Sequence, residues 1–361
     1  MSKKYDPVYY GDYLGLDRLL SAQQPVSPKY GPEAHEETLF IIVHQAYELW
    51  FKQIIHELRS ILRIFGQAEI ADEQLMTLVH RLQRIVTIQE LLNQQINVME
   101  TMTAQEFLEF RDFLVPASGF QSIQFKEIEI SLGVKRDKRI AFDQASFYNR
   151  INDQDRAYLE QLEEQPDLFA MVDAWLARMP FLEQDDFKFW QHYQAAIESQ
   201  IQHEEDIVRE NPLLSDEEKA SELSELASSR ANFAALFDRD LYTAMQEDGR
   251  VRLSQRAMQA ALFIHLYREE PAFNLPYQVL NALTDLDENL TIWRYRHAMM
   301  VQRMLGSKIG TGGSSGHDYL KRTTEKNRIF ADFMNLATYL VPKKTLPELP
   351  RNVHASLRRG R

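Results

Sequence analysis

The stretch Leu290–Thr323, LTIWRYRHAMMVQRMLGSKIGTGGSSGHDYLKRT, changes character part-way along. Its first half has the spacing of a buried helix. Trp293 lies at i−4 from His297, Met300 and Val301 at i+3 and i+4, and Met304 at i+7. That puts the imidazole on an apolar stripe. The second half, Gly310-Thr-Gly-Gly-Ser-Ser-Gly316, has four glycines in seven residues and cannot continue a helix, because each glycine forfeits too much backbone entropy there. A histidine on an apolar helix face is thus followed by a segment rich in accessible N–H groups and hydroxyls. Two readings of His297 are open: a core histidine satisfied by hydrogen bonds beside a linker, or a ligand beside a binding loop.

The same helical period runs outward through the chain, and no stretch alternates as a strand would. The sequence reads as all-α, a single-domain helical bundle over 1–361 with a pocket between long helices. Residues 9–23 form a first amphipathic segment, and residues 24–33 form a loop holding Pro25, Pro28 and Pro32. A long helix from about Glu33 to Phe65 carries the stripe Phe40, His44, Tyr47, Phe51, Ile54, Leu58, Leu62 and stops at Gly66. Another spans 72–99. Thr103-Ala-Gln-Glu106 is a capping box that opens a short helix, Gln105 to Val115. Helix resumes from Phe120 to Ile130. The charged stretches 135–180 and 205–250 read as peripheral helices. Residues 254–269, 281–305 and 319–340 read as further helices, and 342–361 as an irregular tail.

Composition narrows the chemistry. The charge balance, 41 basic against 53 acidic residues, gives −12, which disfavours nucleic acid as a partner. No apolar run approaches the roughly eighteen residues of a membrane span. The N-terminal MSKKYDPVYYGDYLGLDRLL shows no secretion signal, so the expected setting is the cytoplasm. With no cysteine, thiolate zinc sites, Cys-ligated iron–sulfur clusters, thiolate haem and Cys nucleophiles are excluded. Any metal must rest on His and carboxylates.

Non-haem motifs fail. His35-Glu36 and His203-Glu204 begin like H-E-x-x-H, but position i+4 holds Leu39 and Ile207. None of the ten histidines has Glu at i−3, as a di-iron bundle would need. What survives is a pair of apolar-face histidines, His44 and His297, on two long helices. Neutral imidazole in an apolar bundle suits haem iron, and a second histidine could face a substrate; two core histidines remain the other reading. Arg111 stands among Phe107, Phe110 and Leu114. It either snorkels to water or receives a carboxylate, which its planar fork suits.

Five blocks then resemble one family in order: Tyr10-Gly-Asp-Tyr-Leu14; HEETLFIIVHQAYELWFKQ over His35–Gln53; Glu100-Thr-Met-Thr with Glu109-Phe-Arg-Asp112; Pro116-Ala-Ser-Gly-Phe-Gln-Ser122; and Arg296-His-Ala-Met-Met with Gly310–Gly316. They resemble the tryptophan 2,3-dioxygenases from about residue 9 to 340, more weakly in the charged middle. The resemblance implies an all-helical, homotetrameric, haem-b protein with ferrous iron. It implies insertion of both atoms of O₂, the co-substrate, across the indole C2–C3 bond of L-tryptophan. The product is N-formyl-L-kynurenine, the first step of tryptophan degradation by the kynurenine route.

By the same resemblance His297 is the axial iron ligand, and His44 is the catalytic distal histidine that takes the indole N–H. Phe40, Ile41, Ile42, Val43 and His44 line the indole pocket. Phe107 is a substrate-contacting aromatic; some members have tyrosine there. Arg111 pairs with the substrate carboxylate, and Thr311 lies near its ammonium. Tyr10, Tyr13 and Leu14 belong to a segment that reaches a neighbouring subunit's site. A haem indole oxygenase acting on a modified indole, or a non-catalytic haem or tryptophan sensor, is the alternative on this scaffold.

Overall fold

The computed structural model describes residues 5–134, 151–179, 189–306, 327–346 and 348–349. Among them the regular structure is helical, with no strand. The segment read as one over 9–23 is two short helices, α1 (Tyr10–Leu14) and α2 (Leu16–Leu20). They break at Gly15, whose φ of +60° is left-handed, a conformation glycine adopts without a side-chain clash.

Two long helices follow, α3 (His35–Phe65) and α4 (Asp72–Met99). The proline loop is pinned to the first turn of α3. The buried Glu37 carboxylate accepts the N–H groups of Val26 and Ser27 at 2.7 and 2.9 Å. Along α3 the buried side is Phe51, Ile54, Ile55, Leu58, Ile61 and Ile64. Burying a side chain of this size contributes roughly 1.5–3 kcal/mol, so this face, rather than intrinsic propensity, holds the helix in place.

The expected capping box forms: Thr103 N–H donates to Glu106 at 2.7 Å, and Glu106 N–H to the Thr103 hydroxyl at 3.3 Å. It opens α5 (Ala104–Phe110), which ends earlier than expected and tightens into a 3₁₀ turn, Arg111–Leu114. After a second 3₁₀ turn, Gly119–Gln121, comes α6 (Ile123–Leu132). Then come α7 (Asp153–Glu163), α8 (Leu168–Ala177), α9 (Phe189–Glu210), α10 (Asp216–Ala235), α11 (Arg239–Glu247) and α12 (Gln255–Leu266). Helix α8 falls in the span read as peripheral, yet it is a core element: Leu168, Val172 and Leu176 are fully buried. Its ten residues, LFAMVDAWLA, are apolar on most sides, a signal masked by charged neighbours.

Helix α13 (Pro271–Leu305) begins well before 281, with proline at its first position and Pro276 inside; proline is pre-organised for a helix start. Of the helix read over 319–340, residues 319–326 lie outside the described residues, and the rest is mostly not α-helical. In its described part, Asn327–Phe330 is irregular, α14 (Ala331–Asn335) is short, and Leu336–Tyr339 is a 3₁₀ turn. The reason is tertiary. The Asp287 carboxylate, on α13, takes the N–H groups of Ile329 and Phe330 at 2.9 and 3.1 Å. Arg294, also on α13, reaches the Asn327 carbonyl at 3.1 Å.

The α4–α13 pair is the most extensive helix contact, followed by α3–α4. Polar side chains stitch the first seam: Gln89 donates to the Leu286 carbonyl at 3.2 Å, and Arg296 to Asn97 Oδ1 at 2.6 Å. A main core runs through α3, α4, α6, α8, α9 and α12–α14, while a second, smaller apolar cluster forms at the start of α3 and the end of α13. No described helix is long and apolar enough to cross a membrane.

Candidate functional site

The second cluster is where the singled-out residues meet. Val43 of α3, Met99 and Met102 at the end of α4, Phe110 of α5 and Met304 of α13 are its buried centre. Phe40, Tyr47, Phe107, Leu114 and Met300 pack against it. Phe40 is the hub: its ring lies 4.1 Å from His44, 5.7 Å from Phe107 and 5.6 Å from Phe110, centroid to centroid. Helix α5 closes the cluster by packing on both α3 and α13.

His44 is exposed at one edge, but the surrounding protein pushes its pKa below the ordinary imidazole value, only partly offset by the Phe40 carbonyl and Glu48. Its Nδ1 lies 2.7 Å from the Phe40 carbonyl oxygen. A carbonyl can only accept, so Nδ1 carries the proton and Nε2 presents a lone pair. His44 is therefore set as an acceptor.

His297 is more deeply placed. Burial, and then the nearby His44, pull its pKa down to about 4. The two rings, remote in sequence, are thus close enough for one charge to be felt by the other. A histidine with that pKa is neutral at physiological pH, the form that binds metal. Its Nδ1 is buried with no hydrogen-bond partner, and its ring stacks on Trp293 at 5.0 Å with planes 4° apart. Among the described residues no group of three or more His, Asp or Glu could hold a metal ion. A lone neutral imidazole in apolar surroundings fits an iron that brings its other donors with it, as haem does.

This architecture carries a family. The profile described as tryptophan 2,3-dioxygenase matches residues 2–340. The chain belongs to the tryptophan 2,3-dioxygenase family. A tryptophan 2,3-dioxygenase of Alteromonas mediterranea is 58% identical over 357 residues, 99% of each chain. One of Bdellovibrio bacteriovorus is 47% identical, covering 97% of this chain and 98% of its own. One of Mus musculus is 42% identical, covering 96% of this chain and 86% of its own.

Against the family's expected site, the structure gathers Phe40, Val43 and Phe107 in one cluster, with the His44 ring tilted against Phe40. Arg111 caps α5 beside Phe110; its side chain is 16% exposed and lies 3.7 Å from the exposed Asp112 carboxylate. Ile41 is half-buried. Ile42 is exposed, because successive helical residues turn by about 100° and it sits about 160° round from His44. Tyr10, Tyr13 and Leu14 are also exposed, the tyrosines at 76% and 78%. Thr311 and the Gly310–Gly316 loop lie outside the described residues.

Sequence reasoning placed Tyr47 and Trp293 on stripes without giving them tasks. Tyr47 donates to the Leu92 carbonyl at 2.9 Å, and its ring meets Trp293 edge-on. Gln95 donates to the Val43 carbonyl at 2.9 Å. These contacts join distant segments, and nothing local in the sequence signals them.

Proposed function

We propose that this chain inserts both atoms of O₂ across the indole C2–C3 bond of L-tryptophan, giving N-formyl-L-kynurenine. The observation that carries the reading is a neutral His297 close to a His44 whose proton is held at Nδ1, in a chain related to tryptophan 2,3-dioxygenases along its whole length. His297 would hold haem b, which when bound supplies the ferrous iron that O₂ chemistry requires.

The chain's own groups supply binding and orientation. His44 Nε2 accepts the indole N–H, which fixes one ring edge, while Phe40, Phe107 and Val43 enclose the ring. Holding the reacting edge in place removes orientational freedom from the reaction. Arg111 pairs with the substrate carboxylate as a planar donor fork. Thr311 is the partner for the ammonium. Indoles without the carboxylate are then poor substrates, since the pair they would make with Arg111 is lost. Tyr10, Tyr13 and Leu14 serve a neighbouring subunit in a homotetramer; their exposure on a single chain supports that reading. The cytoplasm is the setting that goes with it.

Two measurements test this. Reduced, haem-loaded protein mixed with L-tryptophan and O₂ is expected to develop the N-formylkynurenine absorbance; haem-loaded protein that gives none would overturn the activity. His297→Ala is expected to lose the Soret band on purification, and a normal band would remove His297 as ligand.

A further inference from the structure

The proline loop and the turn that carries Arg111 meet ring to ring. Tyr30 lies 4.8 Å from Phe113, centroid to centroid, with planes 17° apart. Phe113 sits in the 3₁₀ turn Arg111–Leu114. In such a turn side chains three apart eclipse, so Arg111 and Leu114 share one side. Leu114 packs on the apolar cluster beside Phe40 and Phe107, and Arg111 is mostly shielded. Asp112 and Phe113 point away from that side. The aspartate is exposed, while Phe113 is the ring that Tyr30 covers. The turn is thus held from within by Leu114 and from outside by Tyr30.

Tyr30 can act as a fixed wall because its own loop is tied to α3. It closes the 3₁₀ turn Ser27–Lys29, donating its N–H to the Ser27 carbonyl at 2.9 Å. Ser27 is buried: its N–H goes to Glu37, and its hydroxyl accepts the Ala34 N–H at 2.9 Å. Glu37, Phe40 and His44 stand at i, i+3 and i+7 on α3, which is one face of the helix. Helix α3 therefore reaches His44 directly, and Arg111 through Glu37, Ser27, Tyr30 and Phe113.

A 3₁₀ turn has poorer hydrogen-bond geometry than an α-helix, so side-chain contacts decide where it rests. We infer that Tyr30 and Phe113 are positioning residues for Arg111: their stack clamps the Arg111–Leu114 turn to the proline loop and fixes where the guanidinium meets the substrate carboxylate. The inference rests on the reading that Arg111 takes that carboxylate. The stack acts through ring faces and needs no hydroxyl.

The test is calorimetric binding of L-tryptophan, and of tryptamine, which keeps the indole and ammonium but lacks the carboxylate, to the haem-loaded full chain. Tyr30→Ala is expected to weaken L-tryptophan about threefold to tenfold and to leave tryptamine within about twofold, the range of one aromatic pair. Tyr30→Phe keeps the ring and is expected to match the parent for both ligands. Phe113→Ala is expected to reproduce Tyr30→Ala, and the double variant to go no further, because both remove the same contact. Tyr30 is 67% exposed, so its variants leave the core intact, and an unchanged Soret band and helix content check this.

Equal weakening of both ligands, no weakening of either, a Tyr30→Phe protein that fails to match the parent, or single effects that add would each overturn the positioning role. Arg111→Ala in the same assay separates the two claims. If it erases the preference for L-tryptophan over tryptamine and Tyr30→Ala leaves that preference untouched, only the role of the stack falls. If it leaves the preference intact, the carboxylate reading of Arg111 falls, and the inference with it.

Discussion

Arg111 shows what a single residue decides. The sequence leaves it between snorkelling and waiting for a carboxylate. The structure sets it at the end of α5, mostly shielded, with a long 3.7 Å pair to the exposed Asp112. Such a pair is weak, whereas a carboxylate bound at a shielded guanidinium is not. Arg111→Ala is expected to weaken tryptophan engagement by about 2–5 kcal/mol, about 30-fold to several thousand-fold. Steady-state kinetics read it as a raised KM, and unchanged kinetics would remove the assignment. His44 makes the complementary point. Its residue type and stripe position are legible in the sequence, but the nitrogen that carries the proton is settled by the Phe40 carbonyl one turn back.

Elements depend on contacts that cap and close them. Glu37 ties the proline loop to α3. Burial raises its pKa, but hydrogen bonds from the Ser27 hydroxyl and the Val26 and Ser27 N–H groups outweigh that and hold it below the ordinary 4.5. A depressed carboxylate contributes stability above its unfolded pKa and loses it as pH falls through the folded one. The thermal midpoint is therefore expected to fall below pH 4.5, and Glu37→Gln to flatten that fall. Parallel curves for the two proteins would show that Glu37 contributes nothing.

Gly133 closes α6 with φ +112°, and a Cβ there would lie 2.9 Å from Phe169 Cβ. Gly133→Ala is expected to lose about 2–3 kcal/mol, from overpacking and left-handed strain together. A shift in the urea midpoint at constant slope would register it; an unshifted midpoint would mean that the first turn of α8 yields freely.

At the scale of the whole molecule, the N-terminal segment is the part a single chain does not explain. Tyr5, Tyr9, Tyr10, Tyr13 and Leu20 leave large apolar surfaces in water, and surface of that kind is expected to be covered by a partner. If the cover is a second copy, removing residues through Leu20 should lower the sedimenting mass towards the 42.3 kDa of one chain. It should also reduce kcat/KM by about tenfold or more, by leaving neighbouring sites incomplete. Helix content by circular dichroism should hold, because α1 and α2 bury nothing in their own chain. Parent-like assembly and kinetics in the truncated protein would refute the segment's role.

The sequence by itself determined the helical class, the course of α3 and α4, the capping box at Thr103, and the two histidines on apolar stripes. Each of these is written in local spacing, which the helical period converts directly into a face. It could not determine that α8 is core, that Asp287 holds Ile329 and Phe330 out of a helix, or that Tyr47 of α3 meets Trp293 of α13 edge-on. Only the tertiary structure decided these. Burial, hydrogen-bond satisfaction and the lowered pKa of His297 depend on residues brought together from distant parts of the chain, and one-dimensional spacing carries no record of which buried atom meets which.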